Sequence, residues 1–123
     1  MLRQLLLVAI GGAIGSAMRY LTAILLARHY TGSIPLATLV VNVLGCFLIG
    51  LLIGLCSETT YLRLLFITGF CGGFTTFSTF TAESYVMFRE GAYGLALLYI
   101  AGSVLIGLLA LWVGLYVSRI IAS

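Results

Sequence analysis

Residues 69–80 read GFCGGFTTFSTF. They lie inside an apolar run long enough to cross a bilayer, whose hydrocarbon core takes about 20 residues of helix. Gly72 and Gly73 stand about 17 Å from either end of that run by helix rise, near the bilayer midplane. A glycine costs about 1 kcal/mol in a helix interior. Four hydroxyls (Thr75, Thr76, Ser78, Thr79) then crowd in among phenylalanines. The stretch therefore reads as a membrane helix broken near residues 72–75. Irregular backbone at such depth persists only where protein or water satisfies it. Two uses for the break stay open: freed carbonyls that hold a cation, or a close helix crossing that needs glycine.

The rest of the chain agrees with a membrane setting. It is 63% hydrophobic and 7% charged, whereas a soluble domain carries about 25% charged residues. A chain of 123 residues has no core large enough to hide that much apolar surface. Four spans can be drawn, at about 5–26, 34–56, 61–88 and 93–120, joined by ARHYTGS, SETT and REGA. Together they make one all-α transmembrane domain over residues 1–123. Nothing is left for a nucleotide-binding loop or a soluble catalytic domain, so no enzyme is expected. Arg3, the apolar run and a small-x-small pattern at Ala13-x-Gly15 imitate a signal peptide, but the run continues and three more spans follow. Cys46, Cys56 and Cys71 have no metal or disulfide spacing and read as small packing residues. The basic residues are scattered arginines, which gives no nucleic-acid patch.

Charge says little about which way the chain inserts. Arg3, Arg63 and Arg119 fall on the N-terminal side, and Arg28 and Arg89 on the other. Orientation follows the excess of Lys and Arg in cytoplasmic loops. Near-balance allows insertion both ways. The polar residues of the core are lopsided by contrast. Counted at 1.5 Å per residue, Arg19, Asn42, Phe77, Phe80, Glu83, Tyr99 and Ser103 all lie about 8–16 Å in from the Arg28 side. They sit on all four spans. A polar half-path leads nowhere alone, and an inverted second copy supplies the other half. Both observations point to a dual-topology antiparallel homodimer. Gly11 with Gly15, and Gly50 with Gly54, offer close helix contacts within a bundle or at a dimer seam.

Beyond the break, Phe77 and Phe80 share a face if the helix resumes. An aromatic ring is negative on its face and positive at its edge. Ring orientation is not written in the sequence, but the neighbours are. Arg19 is a fixed positive charge at similar depth, and Asn42 and the hydroxyls donate hydrogen bonds. These favour an anion. Arg19 also has the alternative of snorkelling to the surface. Hard donors suit a small, strongly hydrated ion, without singling out fluoride.

GFCGGFTTFSTF, with GGAIGSAMRY on the first span, TLVVNVLG on the second and YIAGS on the fourth, resembles the Fluc (CrcB) family of fluoride channels. The resemblance covers the whole chain. It implies a dual-topology antiparallel dimer with two pores, in a bacterial inner membrane, exporting fluoride passively among membrane lipid. Phe77 and Phe80 resemble the pair whose edges line the fluoride path, and Asn42 the asparagine beside them. Ser78, Thr79, Tyr99 and Ser103 are similar to the polar track. Arg19 resembles the vestibule arginine, and Glu83 the glutamate after the motif. Gly72 and Thr75 match the positions whose backbone carbonyls hold a structural sodium ion at the dimer axis. The rival from another class is a small multidrug antiporter, also four spans in a short chain. It exchanges protons for cationic drugs through an intramembrane acid, and Arg19 opposes a cation.

Overall fold

The computed structural model describes residues 1–56, 58 and 60–123, and among them the chain is all-helical. Ser57 and Thr59 of the SETT connection lie outside the described residues. Helix α1 (Leu2–His29) and α2 (Leu36–Leu55) are continuous. The third span, Thr60–Arg89, is assembled from α3 (Thr60–Leu62), a π-helical segment π1 (Arg63–Cys71), α4 (Gly72–Phe74) and α5 (Phe77–Arg89). Helix α6 (Tyr93–Ala122) closes the bundle. Among the described residues, four helices are thus long and apolar enough to cross a membrane.

Local chemistry sets the ends. Tyr30 takes extended backbone and stops α1. Pro35, which has no N–H to lose, sits at the N-cap of α2. Gly91 supplies the left-handed residue after α5, at φ 81°. Its N–H reaches the Phe88 carbonyl while Ala92 N–H reaches that of Met87, the paired bonds of a Schellman cap. This cap turns the chain directly into α6.

Packing follows the glycines. Helix α2 runs mainly along α6, and α1 along π1 and α4. A Cβ on Gly50 would run into the Leu111 carbonyl, and one on Gly114 into that of Phe47. Gly11 and Gly15 lie in the same way against the Leu65 and Phe70 carbonyls of π1. The small-residue pairs therefore serve contacts within one chain. The buried apolar set is short: Val41, Cys56, Cys71, Phe74, Phe80, Met87, Ala96 and Tyr99. The outer surface carries exposed leucines, isoleucines, Trp112 and Tyr116, a surface suited to lipid.

The third span breaks later than its glycines suggest. Gly72 keeps helical backbone, φ −62° and ψ −37°. The chain leaves the helix at Thr75 (φ −86°, ψ 159°) and Thr76 (φ −149°, ψ 116°). The glycines have separate uses. Gly73 lies against α1, where a Cβ would stand 2.5 Å from the Gly12 carbonyl. Gly72 faces open surface, and a Cβ there would meet only the Ile67 carbonyl, at 4.0 Å.

Candidate functional site

Backbone accounting at the break defines the first part of the site. In an unbroken helix Thr76 N–H would close on the Gly72 carbonyl, and Thr79 N–H on that of Thr75. Here Thr76 N–H donates to Asn42 Oδ1 at 2.8 Å, and Asn42 Nδ2 donates back to the Thr76 carbonyl at 3.1 Å. Thr79 N–H goes to Thr76 Oγ1 at 3.1 Å, an N-cap for α5. Arg19 Nε donates to the Gly73 carbonyl at 3.1 Å. Gly72 and Thr75 are left with carbonyls whose helical donors have gone elsewhere. Thr75 turns its hydroxyl back to the Cys71 carbonyl and lays its methyl against Gly45. Among the described residues no three His, Cys, Asp or Glu side chains are placed to hold a metal. A cation here would rely on backbone carbonyl oxygen, of which the break frees several, those of Gly72 and Thr75 included.

The second part is an aromatic seam between α5 and α6. The Phe77 and Phe80 rings lie 6.0 Å apart and tilted by 42°. Phe80 also meets Tyr99 at 5.1 Å, tilted by 51°. The pair splits in environment: Phe80 is buried, but Phe77 is 76% exposed in the single chain. Tyr99 and Ser103, one turn apart on α6, bury their hydroxyls without a well-formed hydrogen bond among the described residues, the Tyr99 hydroxyl lying toward Thr38. Buried polar atoms are nearly always paired, so two such hydroxyls one turn apart, the first on a ring packed against Phe80, mark a place built to meet something.

The third part opens toward the Arg28 side. Arg19, Thr38, Val41, Thr76 and Thr79 line a cavity of about 130 Å³. Next to it, Thr79, Glu83 and Glu90 border a wider cleft of about 300 Å³ with Ser33 and Pro35. Thr38 donates to Glu83 Oε1 at 2.5 Å, tying α2 to α5. Ser78 is exposed and stands 3.5 Å from Thr76 Oγ1.

The structure thus gathers Asn42 and Arg19 at the break, Phe77, Phe80, Tyr99 and Ser103 along the seam, and Thr79 with Glu83 at the mouth. Thr38 and Thr76 were not among the candidate site residues, Thr76 being noted only as one hydroxyl of four, although each makes a key polar contact. Threonine gives little warning, because its hydroxyl often bonds its own helix, as those of Thr22 and Thr81 do.

Comparison with known proteins adds an independent line. Residues 6–115 match the family model described as CrcB-like protein, Camphor Resistance (CrcB). A protein of Azobacteroides pseudotrichonymphae is 43% identical over 118 residues, covering 93% of this chain and 94% of its own. One of Methylobacillus flagellatus is 46% identical over 116 residues, with 90% and 91% covered. One of Flavobacterium psychrophilum is 38% identical over 122 residues, with 96% and 98% covered. All three bear the name fluoride-specific ion channel FluC.

Proposed function

The chain belongs to the CrcB-like family, and from that membership we propose that it is a fluoride channel, passing the ion down its electrochemical gradient. Its relatives are named as ion channels, and the chain is a multi-pass membrane protein of a channel family rather than an enzyme. The structural observation that carries the reading is the pair of buried hydroxyls on Tyr99 and Ser103, neither with a well-formed hydrogen bond among the described residues, on the helix whose Tyr99 packs against the Phe80 ring. A fluoride ion must shed water to enter the membrane. Hydroxyl donors and ring edges, fixed in low dielectric, replace that water most strongly for a small, hard anion. Arg19 raises the local concentration of anions at the mouth. Ser78 and Thr79 carry the ion from the mouth to the Phe77–Phe80 pair, where one Asn42 N–H remains to donate.

One chain provides only half of such a path. The 76% exposed Phe77 ring suits a second copy, and an inverted one continues the polar track to the other face. Such a dual-topology antiparallel dimer has two pores. At its axis the Gly72 and Thr75 carbonyls of both copies would hold a structural sodium ion, whose charge offsets the converging carbonyl dipoles. The setting is a bacterial inner membrane. Fluoride enters an acidified cell as neutral HF and ionises in the cytoplasm. A potential negative inside then drives the anion out, by about 2.3 kcal/mol per charge for each 100 mV. No energy-coupling site is needed. The antiporter reading is not favoured, because the deep charge on the first span is a cation and the relatives are named as channels.

Liposomes containing only this protein test the proposal. Fluoride efflux read by electrode should require a potassium ionophore to carry countercharge, and chloride efflux should be negligible. Phe80→Ile should cut fluoride flux at least about tenfold, the loss of roughly 1.4 kcal/mol of ion stabilisation. Its dimer should still elute intact. Proton-coupled efflux, or undiminished flux in Phe80→Ile, would count against the reading.

A further inference from the structure

Four carbonyls lose their helical donors at the break, and the structure treats them differently. An unbroken helix would consume those of Gly72, Gly73, Phe74 and Thr75 in closing on Thr76, Phe77, Ser78 and Thr79 N–H. Opening the helix frees all four at once. Among the described residues, Gly73 is the one given a side-chain donor, the Arg19 Nε–H at 3.1 Å. Asn42 takes the Thr76 N–H that would otherwise return to Gly72, and Thr76 Oγ1 takes the Thr79 N–H that would return to Thr75. Asn42 also donates to the Thr76 carbonyl, so the Thr76 peptide groups are gripped on both sides.

We propose that Arg19 and Asn42 are positioning residues for the break: they occupy the Gly73 and Thr76 backbone groups and so hold the helix open where a cation would meet the freed carbonyls, those of Gly72 and Thr75 among them. This rests on the reading of the chain as a sodium-pinned antiparallel channel. The two side chains come from different spans, α1 and α2, and hold the break from two directions. Neither gives up its capacity toward an anion. A guanidinium carries five N–H donors and an amide two, so Arg19 keeps its terminal nitrogens and Asn42 one Nδ2–H. The Arg19 side chain borders the cavity that Thr38, Thr76 and Thr79 also line. A residue counted only as an anion contact would alter fluoride passage when removed. A residue that holds the break open would alter sodium binding as well, with no fluoride present.

The test is the thermal unfolding midpoint of the purified dimer in fluoride-free buffer, titrated with sodium gluconate against the gluconate of a bulky organic cation. Wild type should gain stability saturably with sodium. Arg19→Leu and Asn42→Ala should raise the half-saturating sodium concentration roughly tenfold or more, the effect of losing a hydrogen bond to a charged or buried group. Arg19→Gln, which keeps an N–H donor without the charge, should titrate close to wild type. If Asn42→Ala does not assemble, Asn42→Asp retains the acceptor for Thr76 N–H and should give a smaller shift in the same direction. An unchanged sodium midpoint in Arg19→Leu and in the Asn42 variant, alongside lost fluoride flux, would overturn the proposal and leave both residues as anion contacts alone. A wild-type protein indifferent to sodium would overturn the underlying sodium reading instead, and this proposal with it.

Discussion

Tyr99 buries all but 3% of its surface, yet its hydroxyl, which lies toward Thr38, closes no well-formed hydrogen bond among the described residues. A buried group left in that state costs about 1–3 kcal/mol. Tyr99→Phe keeps the ring against Phe80 and removes only the oxygen. Its unfolding midpoint should hold or rise, by the equivalent of about 1 kcal/mol, while fluoride flux falls. Loss of stability with flux intact would make the hydroxyl a structural group. Asn42, Phe80, Tyr99 and Ser103 were legible in the sequence because polar and aromatic residues at one depth on several spans have no reason to be there except one another. Thr38 was not, since its partner Glu83 lies 45 residues away and nothing local marks the pair.

Among the helices, the spans follow directly from hydropathy, because a bilayer leaves no other place for runs so apolar. The site of the break was readable only to within a few residues. Two glycines announced irregularity, but a helix accepts glycine when a neighbour supports it, and α1 supports Gly73 through the Gly12 backbone. What opens the helix is the Asn42 pairing with Thr76, a contact between spans. The π-helical turns of Arg63–Cys71 left no trace in the sequence. They lie along the backbone of α1, through Gly11 and Gly15, and are set by tertiary approach rather than by propensity. A contrast in alanine substitutions follows. Gly11→Ala places a Cβ against the Leu65 carbonyl and the Phe70 backbone nitrogen, and should lower the unfolding midpoint sharply. Gly102→Ala meets nothing within 4 Å and should be neutral or stabilising by up to about 1 kcal/mol, the helix-propensity gain. Equal effects of the two substitutions in detergent melts would show that π1 does not depend on this backbone contact.

For the molecule as a whole, the near-equal arginine counts of its two sides are the feature with the widest consequence. Without a strong bias, insertion in both directions is expected, and under the proposed pairing an inverted copy would complete the polar track that one chain leaves half built. Single cysteines at Ser33 and at Ser123, in a background with Cys46, Cys56 and Cys71 replaced, stand at opposite ends of the bundle. In intact cells an impermeant thiol reagent should label about half of each population, a ratio near one being what balanced flanking charge predicts. Labelling of one site alone would establish a single orientation. Charge and depth are the features from which the pairing of copies is proposed. The most direct check on fluoride conduction is a bi-ionic reversal potential in a planar bilayer, with fluoride on one side and chloride on the other at equal concentration. The current should reverse only at a potential far from zero, of the sign that marks fluoride as the permeant ion. A reversal near zero would mean that chloride passes as readily, and that the ring and hydroxyl seam of Phe77, Phe80, Tyr99 and Ser103 is not a fluoride path.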